Sequence, residues 1–531
     1  MRPRTHAPKR RWAPAAALTS GLALAVTTAL VGTAPASADT GDTASRKLRT
    51  AVSAAGIAQH LRALDSIAAA NDGTRASGTS GYAASRDYVV STLRAAGYTP
   101  KVQTFDFPFF KENRPSTLRQ VSPDATTYTN PDDFATMTYS ASGDVNGQVV
   151  PVDTDLTATD ASTSGCEAAD FAGFPAGAVA LVQRGTCTFG AKVQNAADAG
   201  AAAAIVFNRG TTGNTGAIAG TLGAPAQIPA LGASFALGQD LASPSGTTVA
   251  LSTDTVSEIR PTYNITADTP GGRRDNVVMA GSHLDSVVPG AGINDNGTGS
   301  ATLLELAKQM SAQNVKPRNT VRFAWWGAEE LGLLGSTHYV QDLADNDPQG
   351  LKDIRLYLNF DMIGSPNYVR FVYDGDNSRF GEADGAAVGP PGSGEIEKLF
   401  ADYFAGQGLP SEETPFSGRS DYGPFIEKGI ASGGLFTGAE GVKTAEQAAT
   451  YGGTAGEAYD HCYHQACDTI ANVNLKAVDE MSDAVVHAVA TYGFSTASLP
   501  EPAAGASARR ATAGPAHAAE LHPGHDHAAV R

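Results

Sequence analysis

In the second half of the chain, short apolar runs alternate with segments of helical spacing, and few folds accommodate such a pattern. The apolar runs are Val277–Ala280, Thr320–Trp326 and Ile354–Phe360, and helical spacing follows the first two at Gly299–Met310 and Leu331–Leu343. Strands that alternate with helices are typical of a parallel or mixed sheet covered on both faces. The sequence therefore predicts an α/β fold.

Composition changes between residues 126 and 255, where aromatic residues become rare and Ala, Gly and Thr become frequent. Short β-like runs there surround one helix-like segment, 189–199. We therefore predict a small α/β module over 126–255, inserted into a larger domain formed by 39–125 and 256–495. A low-complexity, His-rich tail follows over 496–531.

The first part of the larger domain has simple patterns. Helical spacing predicts helices over 46–70 and 82–96, separated by a loop rich in Gly, Ser and Thr at 71–81. Gly97 would close the second helix, because glycine tolerates a positive φ. The alternation of apolar and polar residues over Thr99–Phe110 predicts a strand.

The first 38 residues have the three-part layout of a secretory signal peptide. Five basic residues and no acid are followed by an apolar run and then by Ala36-Ser37-Ala38. A transmembrane anchor is the alternative, but the run is rich in alanine, is broken by Pro14 and ends at a small-residue cleavage motif. We expect a signal peptide over 1–38 and a secreted, extracellular protein.

The charge balance argues against nucleic acid as a partner. The chain has 54 acidic and 38 basic residues, a formal net charge of −16, and no basic cluster after the first dozen residues. A surface that binds phosphates needs the opposite balance. No segment after the signal peptide is long and apolar enough to span a bilayer, so we expect no membrane partner.

Ionisable residues follow each apolar run of the second half. They are His283, Asp285 and Asp295 after the first run, Glu329 and Glu330 after the second, and Asp361 after the third. Singly, each has an ordinary explanation as a helix cap, a solvated pair of acids or a structural histidine. Together they would meet at the carboxyl ends of the strands, where like charges repel unless a cation neutralises them. Oxygen and imidazole ligands without thiolates indicate a catalytic zinc site.

Cys462 and Cys467 lie five residues apart and enclose Tyr463 and His464. In an exported protein such a pair can close a tight disulfide loop, which would hold the two enclosed side chains in fixed directions. A structural zinc site is the alternative reading of neighbouring Cys and His residues. Export favours the disulfide, and no second Cys pair lies nearby.

Six motifs carry a resemblance to a known family. They are SHLDSV, GINDNGTGSA, WWGAEELGLLGS, NFDMIGSPN, GRSDYGPF and CYHQACDT, and the match covers about residues 46–110 and 265–495. In them the chain resembles the secreted bacterial aminopeptidases with two co-catalytic zinc ions, of the leucine aminopeptidase type. The resemblance implies a mixed, mostly parallel β-sheet sandwiched by helices and a metallo-aminopeptidase that acts on peptides or proteins with a free N-terminus. We expect a monomer.

The resemblance also implies the roles of individual residues. Five side chains match the ligands of the two zinc ions, with Asp295 shared between a first ion held by His283 and Asp361 and a second held by Glu330 and His464. Glu329 matches the general base that activates a water bridging the ions. Asp285 matches the residue that orients His283, and Tyr463 matches a donor to the oxyanion.

The substrate's N-terminal residue has matching positions as well. By resemblance, backbone around Arg419 helps to hold the free α-amine, together with the base and one metal ligand. Met362, Gly418 and Phe436 match the walls of an apolar pocket, which implies a preference for large hydrophobic residues. An ordinary core position is an equal alternative for Phe436.

A calcium site is a further expectation from the resemblance. Asp479 and Asp483 are spaced i,i+4 on a predicted helix and match a calcium site of some family members. Two solvated acids on one helix face would give the same spacing, so this alternative stays open.

The inserted module resembles a protease-associated domain, which recurs within exported peptidases of this clan. The residues that carry this resemblance are Cys166, Ala178–Gly185, Cys187-Thr188-Phe189 and Lys192–Ala201. It implies a disulfide between Cys166 and Cys187, in addition to that between Cys462 and Cys467. The module's expected role is to cover the mouth of the active site and restrict substrate size.

Three other functions are alternatives to the aminopeptidase. A carboxypeptidase or dipeptidase of the same clan would need a basic residue for the substrate carboxylate, and Arg419 is the nearby candidate. A glutaminyl cyclase uses a related fold with one zinc, whereas this chain has residues for a full second site. A non-catalytic, receptor-like module would have lost ligands, but all five positions are filled here.

Overall fold

Fourteen strands form a continuous sheet in the part of the chain that the computed structural model describes, residues 40–154, 156–381 and 384–500. The strands are β1 Lys101–Ser122, β2 Thr126–Thr127, β3 Phe134–Thr136, β4 Gly143–Pro151, β5 Val179–Gln183, β6 Ala203–Phe207, β7 Ala230–Ala233, β8 Thr248–Asp268, β9 Arg273–His283, β10 Asn319–Trp326, β11 Ile354–Phe360, β12 Phe371–Tyr373, β13 Glu412–Thr414 and β14 Ser432–Phe436. The predicted signal peptide and all but the first residues of the predicted tail lie outside the described ranges.

The sheet is mixed and mostly parallel, as predicted. Its order is β13-β12-β14-β11-β9-β10-β8-β4-β5-β6-β7-β3, with β1 paired to β8. Strands β14, β11, β9 and β10 are parallel neighbours, and so are β4, β5, β6 and β7. Strand β8 is antiparallel to both β10 and β4 and so joins the two parallel parts.

Helices cover both faces of the central strands. They are α1 Gly41–Ala51, α2 Ala54–Ala69, α3 Ser80–Ala95, α4 Phe189–Asp198, α5 Phe235–Ala242, α6 Thr298–Ala312, α7 Leu334–Asn346, α8 Pro348–Lys352, α9 Ser393–Gly406, α10 Gly423–Glu427, α11 Ala445–Tyr451 and α12 Leu475–Phe494. Val278 and Ala280 of β9 belong to the core that contains residues of α2, α6 and α12, whereas Met279 belongs to the core with α7 and α10. This alternation confirms the predicted layers. No helix in the described ranges has the length and apolar character needed to cross a bilayer.

Several element boundaries differ from the predictions. The helix predicted over 46–70 is two helices, because the Ser53 side chain accepts the Gly56 N–H and caps α2 after a break. Helix α7 begins later than predicted, since Gly332 and Leu333 have φ angles of +98° and +59° and form a turn instead. Buried apolar residues occur on both sides of the break between α1 and α2, so apolar spacing alone does not reveal that break.

A long two-stranded ribbon joins the larger domain to the inserted module. Strands β1 and β8 pair antiparallel from Lys101 opposite Thr266 to Ser122 opposite Thr248. The strand predicted to end at Phe110 therefore continues for twelve more residues. Strand β8 runs unbroken through the predicted boundary at 255, and the domain boundaries stay predictions. Within the module, α4 lies in the predicted segment 189–199, whereas β2, β3, β7 and α5 were not predicted.

Candidate active site and metal centre

Three neighbouring parallel strands bring the predicted site residues to one edge of the sheet. Strand β9 ends at His283, β10 ends just before the turn with Glu329 and Glu330, and β11 ends just before Asp361. These strands lie in the order β11-β9-β10, so their carboxyl ends are adjacent. Ligand sites of open α/β sheets form at such edges.

The five predicted metal ligands form two groups that share Asp295. His283 Nε2 lies 3.2 Å from Asp295 Oδ1 and 3.2 Å from Asp361 Oδ1. His464 Nε2 lies 3.1 Å from Asp295 Oδ2 and 3.0 Å from Glu330 Oε2. In each group all ligand atoms lie within 4.8 Å of one another. Asp295 thus presents one oxygen to each group.

The chemistry of these donors fits zinc. Within the described residues, the ion pairs of Asp295, Glu330 and Asp361 are with His283 and His464 alone, and not with Lys or Arg. Burying several carboxylates together is costly unless a cation compensates them. Nitrogen and oxygen donors without thiolates are typical of catalytic zinc sites.

The adjacent glutamates take different positions. Glu329 Oε2 lies 3.9 Å from His283 Nε2, on the side of the first group, whereas Glu330 belongs to the second. Both are buried, with 1% and 4% of their surface exposed. The backbone turns at Ala328, whose φ is +55° and whose N–H donates to Ser77 Oγ at 2.7 Å.

Asp285 lies beside His283 and also contacts the turn with Glu329. His283 Nδ1 lies 3.1 Å from the backbone oxygen of Asp285 but 3.7 Å from its carboxylate. The main chain is therefore the nearer partner of the imidazole. The Asp285 carboxylate instead accepts the backbone N–H of Glu329 at 3.3 Å, and so links the two strand ends.

The pocket favours positive charge. Burial raises the pKa of Glu329 well above its usual range and raises the pKa of Glu330 to about 7. Burial opposes the charged form of His464, but the carboxylates of Glu330 and Asp295 raise its pKa to about 10. The pKa of His283 is likewise raised by carboxylates against the effect of burial. A site of this kind attracts cations.

The loop that carries His464 is closed by the predicted disulfide between Cys462 and Cys467. The structural zinc alternative is wrong, since a disulfide sulfur is not a thiolate ligand. The Tyr463 ring stacks on the His464 ring, with centroids 3.8 Å apart. Burial raises the pKa of Tyr463 well above its usual value, so its hydroxyl keeps the proton that a donor needs.

Two further acids that the sequence analysis missed fasten this loop to the Asp295 loop. Asp468 accepts the backbone N–H groups of Asn294 and Asp295 at 2.8 and 3.0 Å. Asp460 accepts hydrogen bonds from the side-chain amides of Asn294 and Asn472 at 2.6 and 2.9 Å. Their one sequence signal was their position on either side of the cysteine pair.

The segment with Gly418 and Arg419 passes beside the first group. Ser420 Oγ donates to Asp361 Oδ2 at 2.6 Å, which fixes this segment to a predicted ligand. Arg419 is about half exposed, and its Nη1 lies 3.4 Å from Glu440 Oε1. The cation of Arg419 is therefore paired within the protein.

Met362 and Phe436 lie at neighbouring strand ends. Met362 follows Asp361, and its carbonyl accepts the N–H of Thr437, the residue after Phe436, at 2.9 Å. The Phe436 ring is partly buried and stacks on Phe371 with centroids 6.1 Å apart. Both residues therefore lie close to the ligand edge of the sheet, and their role as pocket walls stays a prediction.

Asp479 and Asp483 lie on α12 and belong to neither ligand group. Arg49 Nη1 lies 3.8 Å from Asp483 Oδ2, so a basic side chain already faces one of the acids. This pair is absent from the sets of three or more clustered ligand atoms among the described residues. Calcium binding there stays a prediction.

Comparisons with known proteins identify the families that the chain resembles. The model of peptidase family M28 matches residues 264–489, and that of the PA domain matches residues 145–241. An aminopeptidase from Pseudomonas aeruginosa is 50% identical over 446 residues, which cover 83% of this chain and 81% of the relative. Leucine aminopeptidase 2 from Trichophyton rubrum is 47% identical over 345 residues, 64% of this chain and 67% of the relative.

A solved structure adds a comparison of the fold. A zinc aminopeptidase from Bacillus subtilis matches with a TM-score of 0.53 and 23% identity, over 82% of this chain and 94% of that one. The family matches and the similar relatives together define an exopeptidase with an inserted module. The chain belongs to peptidase family M28 and is an aminopeptidase that contains a PA domain. The predicted family, enzyme class and inserted domain are confirmed.

Proposed function

We propose that the protein is a secreted aminopeptidase that holds two zinc ions and removes large hydrophobic residues from the N-termini of peptides and proteins. The support for two ions is the pair of ligand groups that share Asp295. Zinc bound there supplies Lewis acidity toward the scissile carbonyl and the attacking water. Export is supported by the signal-like first 38 residues.

Residues of the chain would then transfer the proton of the attacking water and stabilise the negative charge that develops on the substrate oxygen. Glu329 lies beside the ligands without belonging to either group, so its carboxylate can take a proton from water and deliver it to the leaving amine. Tyr463, which keeps its proton, can donate to the oxygen that becomes negative. Met362 and Phe436 supply an apolar wall for the substrate's first side chain.

The arrangement favours an aminopeptidase over a carboxypeptidase. An enzyme that binds a substrate carboxylate needs a free cation near the metals. Arg419, the candidate, forms an exposed ion pair with Glu440. The carboxylates of Glu329 and Asp361 instead offer a place for an ammonium group.

One experiment tests the proposal. Zinc would be counted in the purified mature protein, and hydrolysis of a leucine anilide would be compared with that of its N-acetylated form. We expect two zinc ions per chain and cleavage of the free amine only. Cleavage of the acetylated substrate, or a single zinc ion with cyclisation of N-terminal glutamine, would contradict it.

A further inference from the structure

The loop between α2 and α3 lies against the site, although its sequence indicates only a polar connection. Arg75 in this loop is fully buried, with 0% of its surface exposed. Its side chain enters the space between two loops, one that follows His283 and one that leads to Asp295. Neither the proposed mechanism nor the ligand sets use this residue.

Arg75 binds both loops through their backbone. Its Nε–H donates to the carbonyl of Ala291 at 2.7 Å, and its two terminal nitrogens donate to the carbonyls of Leu284 and Gly292. The backbone N–H of Arg75 donates to Ser286 Oγ at 3.0 Å. One planar group thus joins Leu284, the residue directly after His283, with Ala291 and Gly292, which lie four and three positions before Asp295.

The backbone near the guanidinium is tightly packed. A Cβ atom at Gly292 would lie 2.3 Å from the Asp295 carbonyl oxygen and 3.2 Å from Arg75 Nη2. Gly292 has a φ of +60°, which also favours glycine. The loop that contains Gly292 therefore packs directly against Arg75.

The charge of Arg75 has no direct carboxylate partner. Among the described residues, none forms an ion pair with it, and backbone carbonyls are its acceptors. Burying a cation this way is costly, and an apolar side chain of similar size would avoid that cost. What the guanidinium offers instead is several donors in a fixed plane, which a lysine cannot supply.

We propose that Arg75 is a positioning residue for the metal centre, which sets the spacing between the loop after His283 and the loop before Asp295. This inference rests on the proposed zinc sites. Ligands held at fixed spacing bind a metal more tightly than ligands that must be ordered on binding. Loss of the guanidinium should therefore weaken zinc binding even when the fold survives.

The test compares Arg75→Lys and Arg75→Gln with the same two changes at Arg370. Arg370 is also buried, at 4% exposure, but donates to Glu480 and to the carbonyl of Pro410. Zinc affinity would be measured by competition with a chelator, and ligand geometry by the absorption spectrum of the cobalt(II) form. We expect both Arg75 variants to bind zinc roughly 10 to 100 times more weakly, with an altered spectrum. The Arg370 variants should lose thermal stability but keep zinc affinity and spectrum.

Each other outcome has a defined meaning. If Arg75→Lys binds zinc as the wild type does, charge rather than geometry matters and the inference is overturned. Lower thermal stability with unchanged zinc affinity in both variants would overturn it as well. If the wild type itself binds no zinc, the proposed function fails first. Should the Arg75 variants not fold, Ser286→Ala removes the acceptor of the Arg75 backbone N–H, which ties the Arg75 loop to the loop after His283. Its zinc affinity should fall by a smaller factor, and unchanged affinity would overturn the inference.

Discussion

Glu329 and Glu330 are neighbours in the chain, yet only Glu330 belongs to a ligand group. Glu329 is buried beside His283, and its backbone is held by the Asp285 carboxylate. A carboxylate that is fixed near the ligands but does not bind a metal is suited to proton transfer. The two adjacent side chains therefore take different positions in the candidate site.

Replacement of the proposed base should separate catalysis from metal binding. We expect Glu329→Gln to lower kcat by at least about a hundredfold, because an amide cannot accept the proton. Zinc content, measured by atomic absorption, should stay at the wild-type value. Glu330→Gln is the matched control and should lose zinc as well as activity. Substantial activity in Glu329→Gln would exclude it as the base.

A second acidic cluster, away from the site, predicts a pH effect on stability. Burial, together with the charges of Asp376 and Asp374, raises the pKa of Glu397 from 4.5 to about 7. The folded state therefore holds this proton more tightly than the unfolded chain. The resulting stability is fully present below pH 4.5 and is lost as the pH rises to about 7.

Removal of this charge should change the pH profile. We expect Glu397→Gln to match the wild type near pH 4.5 and to exceed its unfolding free energy at pH 8. The gain should be about 1 to 2 kcal/mol, since one pKa unit corresponds to about 1.4 kcal/mol and solvent screens part of it. Urea unfolding at both pH values measures the difference. A constant difference at the two values would contradict the prediction.

At the scale of elements, the two disulfides close loops of different function. The bond from Cys462 to Cys467 spans five residues and encloses His464, whereas the bond from Cys166 to Cys187 spans 21 residues of the PA domain. The first should act on metal binding and the second on the stability of the inserted domain.

Paired serine substitutions test this division. Cys462→Ser with Cys467→Ser should weaken the binding of one zinc ion and reduce hydrolysis of the leucine anilide, because His464 is no longer held. Cys166→Ser with Cys187→Ser should keep both properties and lower the unfolding free energy by about 3 kcal/mol. Equal loss of zinc in the two double variants would show that the small loop has no special role.

The ribbon packs one aromatic face on the turn that carries the glutamates. Phe105, Phe107 and Phe109 form a buried cluster with Ala328, next to Glu329. We expect Phe107→Ala to lower the unfolding free energy by about 3 to 5 kcal/mol, because it leaves a cavity. Ile259 lies on the same ribbon and is 58% exposed, so it serves as the control. Ile259→Ala should change the unfolding free energy by less than about 0.5 kcal/mol, measured by urea unfolding. Similar effects of the two changes would contradict this.

At the scale of the whole molecule, the ribbon suggests how to remove the PA domain. Glu112 of β1 lies opposite Thr255 of β8. A two-residue Asn-Gly turn between them would close a hairpin and delete the inserted domain. We expect this protein to hydrolyse the leucine anilide as the full chain does and to cleave long peptides faster, if the PA domain restricts access. Unchanged relative rates for the two substrates would contradict that role.

Local patterns predicted much of the fold and most of the site. The strand over Ile354–Phe360 has the predicted bounds, and the apolar runs before His283 and Glu329 are strands. They could be predicted because an apolar run and the ionisable residue after it are close together in the chain. The break at Ser53 and the extension of β1 past Phe110 were not predicted. The Ser53 cap decides the first boundary, and the pairing of β1 with the distant strand β8 decides the second.

Local motifs and periodicity were sufficient to predict the α/β class, the family and the residues that lie together at the candidate site. How those residues are held depends on tertiary contacts. Arg75 and Gly292 are 217 positions apart, and Asp285 reaches His283 mainly through its backbone. Contacts of this kind leave no periodic signal, since they depend on how distant loops pack and not on the residues beside them in the chain.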